Sequence, residues 1–101
     1  MYKLKFNPEA KKDLEKLNHS VRLLFAKKIK QVQNNPQIGK KLGNKNNLNL
    51  TGLNKVYFDH KKYRIVYQVV ADEVIVYIVS IGKREDMSVY KQAYKRLKGG
   101  L

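Results

Sequence analysis

Residue order points to an α+β chain: a small antiparallel β-sheet with an N-terminal helical hairpin on one face and a short C-terminal helix. Apolar residues recur at helical spacing as far as Asn34-Asn35-Pro36, and from Leu48 they give way to short β-rich runs. The breaks between those runs are short, which antiparallel neighbours allow and parallel ones do not. The last run, Glu73 to Ile81, is apolar at nearly every position, so both of its faces need cover.

Each element has its own signal. "YKLKF" alternates, placing Tyr2, Leu4 and Phe6 on one strand face. Asn7-Pro8-Glu9 starts a helix: Asn accepts from orphan amides, Pro suits the first turn, and Glu favours the positive end. Ala10, Leu14 and Leu17 form its apolar stripe, and "LNHS" breaks it, with Ser20 placed to cap a second helix. That helix carries Val21, Leu24, Phe25, Ile29 and Val32 on one face. "QIGKKLGNKNN" reads as a loop. Then come "LNLTGL", "KVYFD", "KYRIVYQVV" and "EVIVYIVSI", broken at Asn54, His60-Lys61 and Ala71-Asp72. A last helix is expected from about Met87 to Lys98, with Val89, Ala93 and Leu97 on one side. One domain over 1–98 and a flexible tail over 99–101 complete the expected layout. The sheet's second face is then either core beneath that last helix or a docking groove.

Charge is the informative part of the composition. The 101 residues hold 22 Lys and Arg against 8 Asp and Glu, a net +14, and no acidic residue lies between Lys16 and Phe58. Such a field implies a polyanionic partner: nucleic acid, an acidic protein or a membrane surface. A hydrophobic share of 43% argues against disorder. No apolar run approaches the ~20 residues that span a bilayer, so no membrane association by a spanning helix is expected. "MYKLKFNPEA" has no secretion-signal core, and the cytoplasm is the expected compartment. With no Cys and no clustered Asp, Glu and His, neither a metal site nor any other cofactor is expected. "LGNKNN" is no phosphate loop, and Ser20, Ser80 and Ser88 lack partners for a hydrolytic triad. Nothing brings His19 and His60 together as an acid–base pair.

If His60-Lys61 is a two-residue turn, Asp59 pairs with Lys62 and Tyr57 with Arg64. Lys55, Tyr57 and Arg64 then share one face of the sheet. A turn one residue longer would flip Arg64 to the other face. A Tyr–Arg stack with a solvated Lys is the plainer account of the same residues.

"YRIVYQVV" and "VSIGKRE" followed by "VY", preceded by "LTGLNKVYF" and a basic helical hairpin, resemble the RelE-type toxins of the RelE/ParE superfamily over almost the whole chain. The resemblance implies cleavage of messenger RNA in the ribosomal A site, with a cognate antitoxin, the ribosome and mRNA as partners. It also implies Lys55, Arg64, Arg84 and Tyr90 as catalytic residues. Tyr57, Lys61, Lys62, Lys83, Lys41 and Lys45 are the expected RNA contacts. Tyr57 stands where the family's "KIK" pattern has its second Lys, and Thr51 where its "LRG" stretch has Arg. Metal-free cleavage requires the ribose 2′-hydroxyl to attack its own phosphorus. Arg suits the developing charge, and Tyr90, its phenol acidified by nearby cations, is the expected base. Gly82 is expected to turn the chain off the sheet so that Arg84 and Tyr90 meet Arg64. A gyrase poison of the ParE type on the same fold, or a non-catalytic nucleic-acid-binding module, are the alternatives.

Overall fold

Asn7 ends the first strand and caps the first helix, its side chain accepting from the Glu9 amide at 2.9 Å. The computed structural model describes residues 1–45 and 48–98. Strand β1 (Lys3–Phe6) leads into α1 (Pro8–Glu15) and α2 (His19–Asn34). Asn18, two residues earlier than expected, caps α2: its Oδ1 accepts from the Val21 amide at 3.0 Å and from the Ser20 hydroxyl at 2.8 Å. An amide oxygen on a residue with extended backbone reaches the orphan N–H groups, whereas Ser20 is already helical.

The expected loop contains structure. Lys40–Lys41 form β2, and Asn44–Lys45 and Leu48–Asn49 form β3 and β4 of a separate small ladder. Then follow β5 (Leu53–Phe58), β6 (Tyr63–Val70), β7 (Ile75–Lys83) and α3 (Ser88–Lys98). The main sheet runs β1-β7-β6-β5-β2. Its neighbours are antiparallel except β1 and β7, which are parallel because the helical hairpin carries the chain back across the sheet.

Two cores flank this sheet. On one face Val21, Phe25, Ile29 and Val32 of α2 and Ala10 of α1 pack on Phe58, Ile65, Tyr67, Val76, Ile78 and Ile81. Leu24 is not among them. It is 38% exposed, because the stripe that reaches the sheet follows the other residues of the face. On the opposite face Val89, Tyr90 and Ala93 of α3 cover Leu53, Val66 and Val79. The second face is therefore core, closed by the chain's own last helix. The 99–101 tail lies outside the described residues.

One irregularity sets the register. Tyr67 pairs with Ile78 but Val66 pairs with Ser80, so Val79 is the extra residue of a β-bulge. Past it, Gly82 stands opposite Arg64. Gly82 lies inside β7 rather than at a turn, which differs from the expectation. What it provides is clearance, because a Cβ there would sit 2.5 Å from Val89 Cγ2. The chain leaves the sheet one step later, where the Asp86 amide donates to the Lys83 carbonyl at 3.0 Å.

Candidate active site

The β5–β6 hairpin turns through Asp59, His60 and Lys61, all with positive φ (54°, 53° and 65°), and the Lys62 amide closes it on the Asp59 carbonyl at 2.9 Å. Left-handed central residues match the twist of a two-residue hairpin turn. The shorter of the two turns considered is thus the one adopted, and Tyr57 pairs with Arg64.

Side chains build outward from that pair. Lys55, two residues before Tyr57 and on the same face, donates from Nζ to the Tyr57 phenol oxygen at 2.9 Å. The Arg64 guanidinium carbon lies 5.7 Å from the Tyr57 ring centroid and 4.3 Å from that of Tyr90, within cation–π range of both. Arg64 Nη2 donates to the Arg84 carbonyl at 2.6 Å, and the Arg84 amide donates to the Lys62 carbonyl at 2.9 Å. These two bonds hold the Arg84 segment against the hairpin. The Arg84 guanidinium carbon lies 5.3 Å from the Tyr57 centroid. Tyr57 is thereby surrounded by three cationic side chains.

The stack has an inside and an outside. Tyr90 is 0% and Arg64 4% exposed, whereas Lys55 and Tyr57 are half-buried and Arg84 is exposed. Tyr90 meets Arg64 as expected, and α3, brought close by the clearance at Gly82, closes over both. Arg64 Nε and Nη1 are buried without a hydrogen-bond partner, and no carboxylate is ion-paired with Arg64 among the described residues. A buried cation with unmet donors favours negative charge close by.

Tyr57 answers to this field. The Lys55 hydrogen bond lowers its phenol from the ordinary value of 10.0 to about 8, against the opposing effect of partial burial and with added help from Arg64. Residue-type reasoning gave Tyr57 only a contact role. The available signal was Lys and Tyr two apart on a strand, which puts an ammonium beside a phenol.

The other expected contacts spread around this centre. Lys61, Lys62, Lys83 and Arg84 line one hollow together with His60, which sequence reasoning had set aside as a loop histidine. Lys41 is exposed on β2 opposite Asn54, and Lys40 stands opposite Lys55. The side chain of Lys45 lies outside what is described. Among the described residues no three His, Cys, Asp or Glu side chains converge on a point that could hold a metal.

Comparison with known proteins converges on one group. The family of ParE toxins of type II toxin-antitoxin systems, parDE, matches residues 4–87. The mRNA interferase toxin RelE of Escherichia coli strain K12 is 37% identical over 99 residues, covering 95% of this chain and 97% of that protein. A mutant of the E. coli toxin RelE in the free state superposes with a TM-score of 0.77 at 34% identity, over 95% of this chain and 97% of that one. The toxin in the intact E. coli RelBE toxin-antitoxin complex gives a TM-score of 0.70 at 32% identity, over 85% and 100%.

Proposed function

The chain belongs to the family of ParE toxins of type II toxin-antitoxin systems, and from that premise we propose that it is an endoribonuclease cleaving messenger RNA in the ribosomal A site. The observation that carries this reading is the cationic stack of Lys55, Arg64 and Arg84 around the Tyr57 phenol, with no carboxylate paired to it among the described residues. Identity of 37% to an mRNA interferase over 95% of the chain supports the same activity.

Cleavage proceeds by metal-independent attack of the 2′-hydroxyl on the adjacent phosphorus. The exposed Arg84 fork contacts two non-bridging oxygens and stabilises the phosphorane. Lys55 adds charge on the same side. Arg64 acts from beneath, through its field and through its hold on the Arg84 carbonyl, and Tyr90 supports Arg64 from below. Lys61, Lys62 and Lys83, with Lys41 and Lys45 farther along the basic surface, guide the strand and the surrounding ribosomal RNA. The ribosome orients the scissile linkage, a contribution that positioning alone makes large.

A cognate antitoxin is the controlling partner, as RelB is for the E. coli toxin. A net charge of +14 suits an acidic partner. Displacing α3 would withdraw Tyr90 from Arg64 and take the stack apart. The cytoplasm is the proposed compartment, and no helix among the described residues is long and apolar enough to cross a membrane.

Primer extension on mRNA translated with the purified protein tests this. Cuts within codons are expected for the wild type, with Arg84→Ala slowing them about 10²–10³-fold, the usual effect of losing one transition-state donor. Intact mRNA with inhibited supercoiling would instead make the chain a gyrase poison. Salt-sensitive binding without cuts would make it a non-catalytic module.

A further inference from the structure

Cleavage needs a group to take the 2′-proton, and Tyr90, the expected one, is fully buried beneath Arg64. Tyr57 lies on the outer side of the same stack and is half-buried, with a phenol oxygen hydrogen-bonded to Lys55. Resting on the cleavage activity set out above, we propose that Tyr57 is the general base of the reaction, its phenolate oxygen held by the Lys55 ammonium at 2.9 Å. The step closes without a further reactant. The 2′ oxygen bonds to phosphorus as its proton passes to Tyr57 Oη. The P–O5′ bond breaks, and the departing oxygen takes a proton from Lys55 Nζ. Tyr57 then returns its proton to Lys55 across their hydrogen bond. A 2′,3′-cyclic phosphate and a 5′-hydroxyl remain, and both side chains are reset.

The surroundings favour this assignment over an ordinary surface tyrosine. Lys55 of β5, Arg64 of β6 and Arg84 after β7 all approach the Tyr57 ring. Lys40 stands across from Lys55 on β2, and His60 and Lys61 form the turn beyond Arg64. Asp86, exposed and hydrogen-bonded to the Ser88 amide, is the nearby acid that senses Arg64. The field at Tyr57 is therefore dominated by cations, which stabilise a phenolate. With its phenol at about 8, roughly a tenth of the molecules carry the base form at neutral pH. A base near the operating pH is efficient. Arg64 and Arg84 cannot act as proton donors because a guanidinium does not give up its proton, which leaves Lys55 as the acid. Tyr90 becomes a positioning residue, fixing Arg64 through its ring face.

The test is single-turnover cleavage on mRNA-programmed ribosomes across neutral to alkaline pH. The wild-type rate is expected to rise with pH and level off at about pH 8. Tyr57→Phe should melt like the wild type at neutral pH, lose about 10²–10⁴-fold in rate and lose the break. Tyr57→3-fluorotyrosine, a more acidic phenol of nearly the same shape, should move the break to lower pH, which a structural role would not do. Tyr90→Phe should leave the break where it is. A wild-type profile in Tyr57→Phe overturns the role of Tyr57 alone. A break that follows Tyr90, or one that vanishes in His60→Ala, does the same. Wild-type protein that leaves translated mRNA intact overturns the cleavage activity itself, and this role with it.

Discussion

Asp13→Ala should be among the most damaging single changes in this chain, although Asp13 touches no part of the stack. Strand β1 ends at Phe6, and its pairing with β7 stops at Ile78. Past that point no strand among the described residues pairs with β7 on this edge. Two side chains serve there instead: Asp13 Oδ2 accepts from the Ile81 amide at 3.1 Å, and Arg96 Nη1 donates to the Val79 carbonyl at 2.8 Å. The two also bond each other, at 2.7 Å and 3.2 Å, with side chains only 9% and 12% exposed. Because α1 and α3 lie on opposite faces, this clasp joins them around the sheet edge. Removing the carboxylate orphans the Ile81 amide, at about 1–3 kcal/mol. It also leaves a largely buried guanidinium without its counter-ion, so the whole loss should reach about 3–5 kcal/mol. For a domain stable by about 5–15 kcal/mol this is a large fraction. The melting temperature should fall by roughly 12–40 °C, at about 4–8 °C per kcal/mol. Urea unfolding of Asp13→Ala, Arg96→Ala and the double variant measures it, with a coupling of about 0.5–3 kcal/mol expected between the sites. A loss under about 1 kcal/mol, the range of an exposed ion pair, would refute the reasoning.

Two other outcomes follow from the same geometry. Gly82→Ala drives a methyl into Val89. About 1–3 kcal/mol should be lost in urea unfolding, and the cleavage rate should drop as Tyr90 shifts away from Arg64. Stability should also depend on alkaline pH in two opposite ways. The folded-state value of Tyr57 is depressed to about 8, so its contribution is complete above the ordinary 10.0 and is lost as pH falls through about 8. Tyr67 is raised by burial, so its contribution is complete below 10.0 and is lost as pH climbs through its higher folded value. Unfolding curves of Tyr57→Phe and Tyr67→Phe against the wild type across this window should separate the two, and a Tyr57→Phe difference that does not grow with pH would contradict the first.

Local signals carried much of the layout. Asn7-Pro8-Glu9 specifies its helix start through caps and φ, and the alternation of Tyr2, Leu4 and Phe6 holds against the first core. The hairpin pairing of Tyr57 with Arg64 was legible only as one of two turn lengths. Three successive left-handed residues without a glycine settle it, and Asp, His and Lys carry weak signals for that backbone. Strand β2 went unread because its two residues are lysines, and their place is set by pairing with β5 rather than by propensity. Leu24 was assigned inward by spacing, but a helix face is broader than the strip its neighbours cover. At the site, residue types marked the cations, while which phenol lies outside was decided by α3 packing, a long-range matter that no short window contains.

The extra residue at Val79 decides which residue of β7 lies under the last helix of the toxin. A ladder that ran on from Tyr67 and Ile78 with Val79 paired to Val66 would seat Ile81, not Gly82, across from Arg64. An isoleucine side chain would then occupy the space that Val89 now fills, and the last helix would have no seat. The offset at Val79 is therefore what places the glycine, and not its larger neighbour, beneath the last helix.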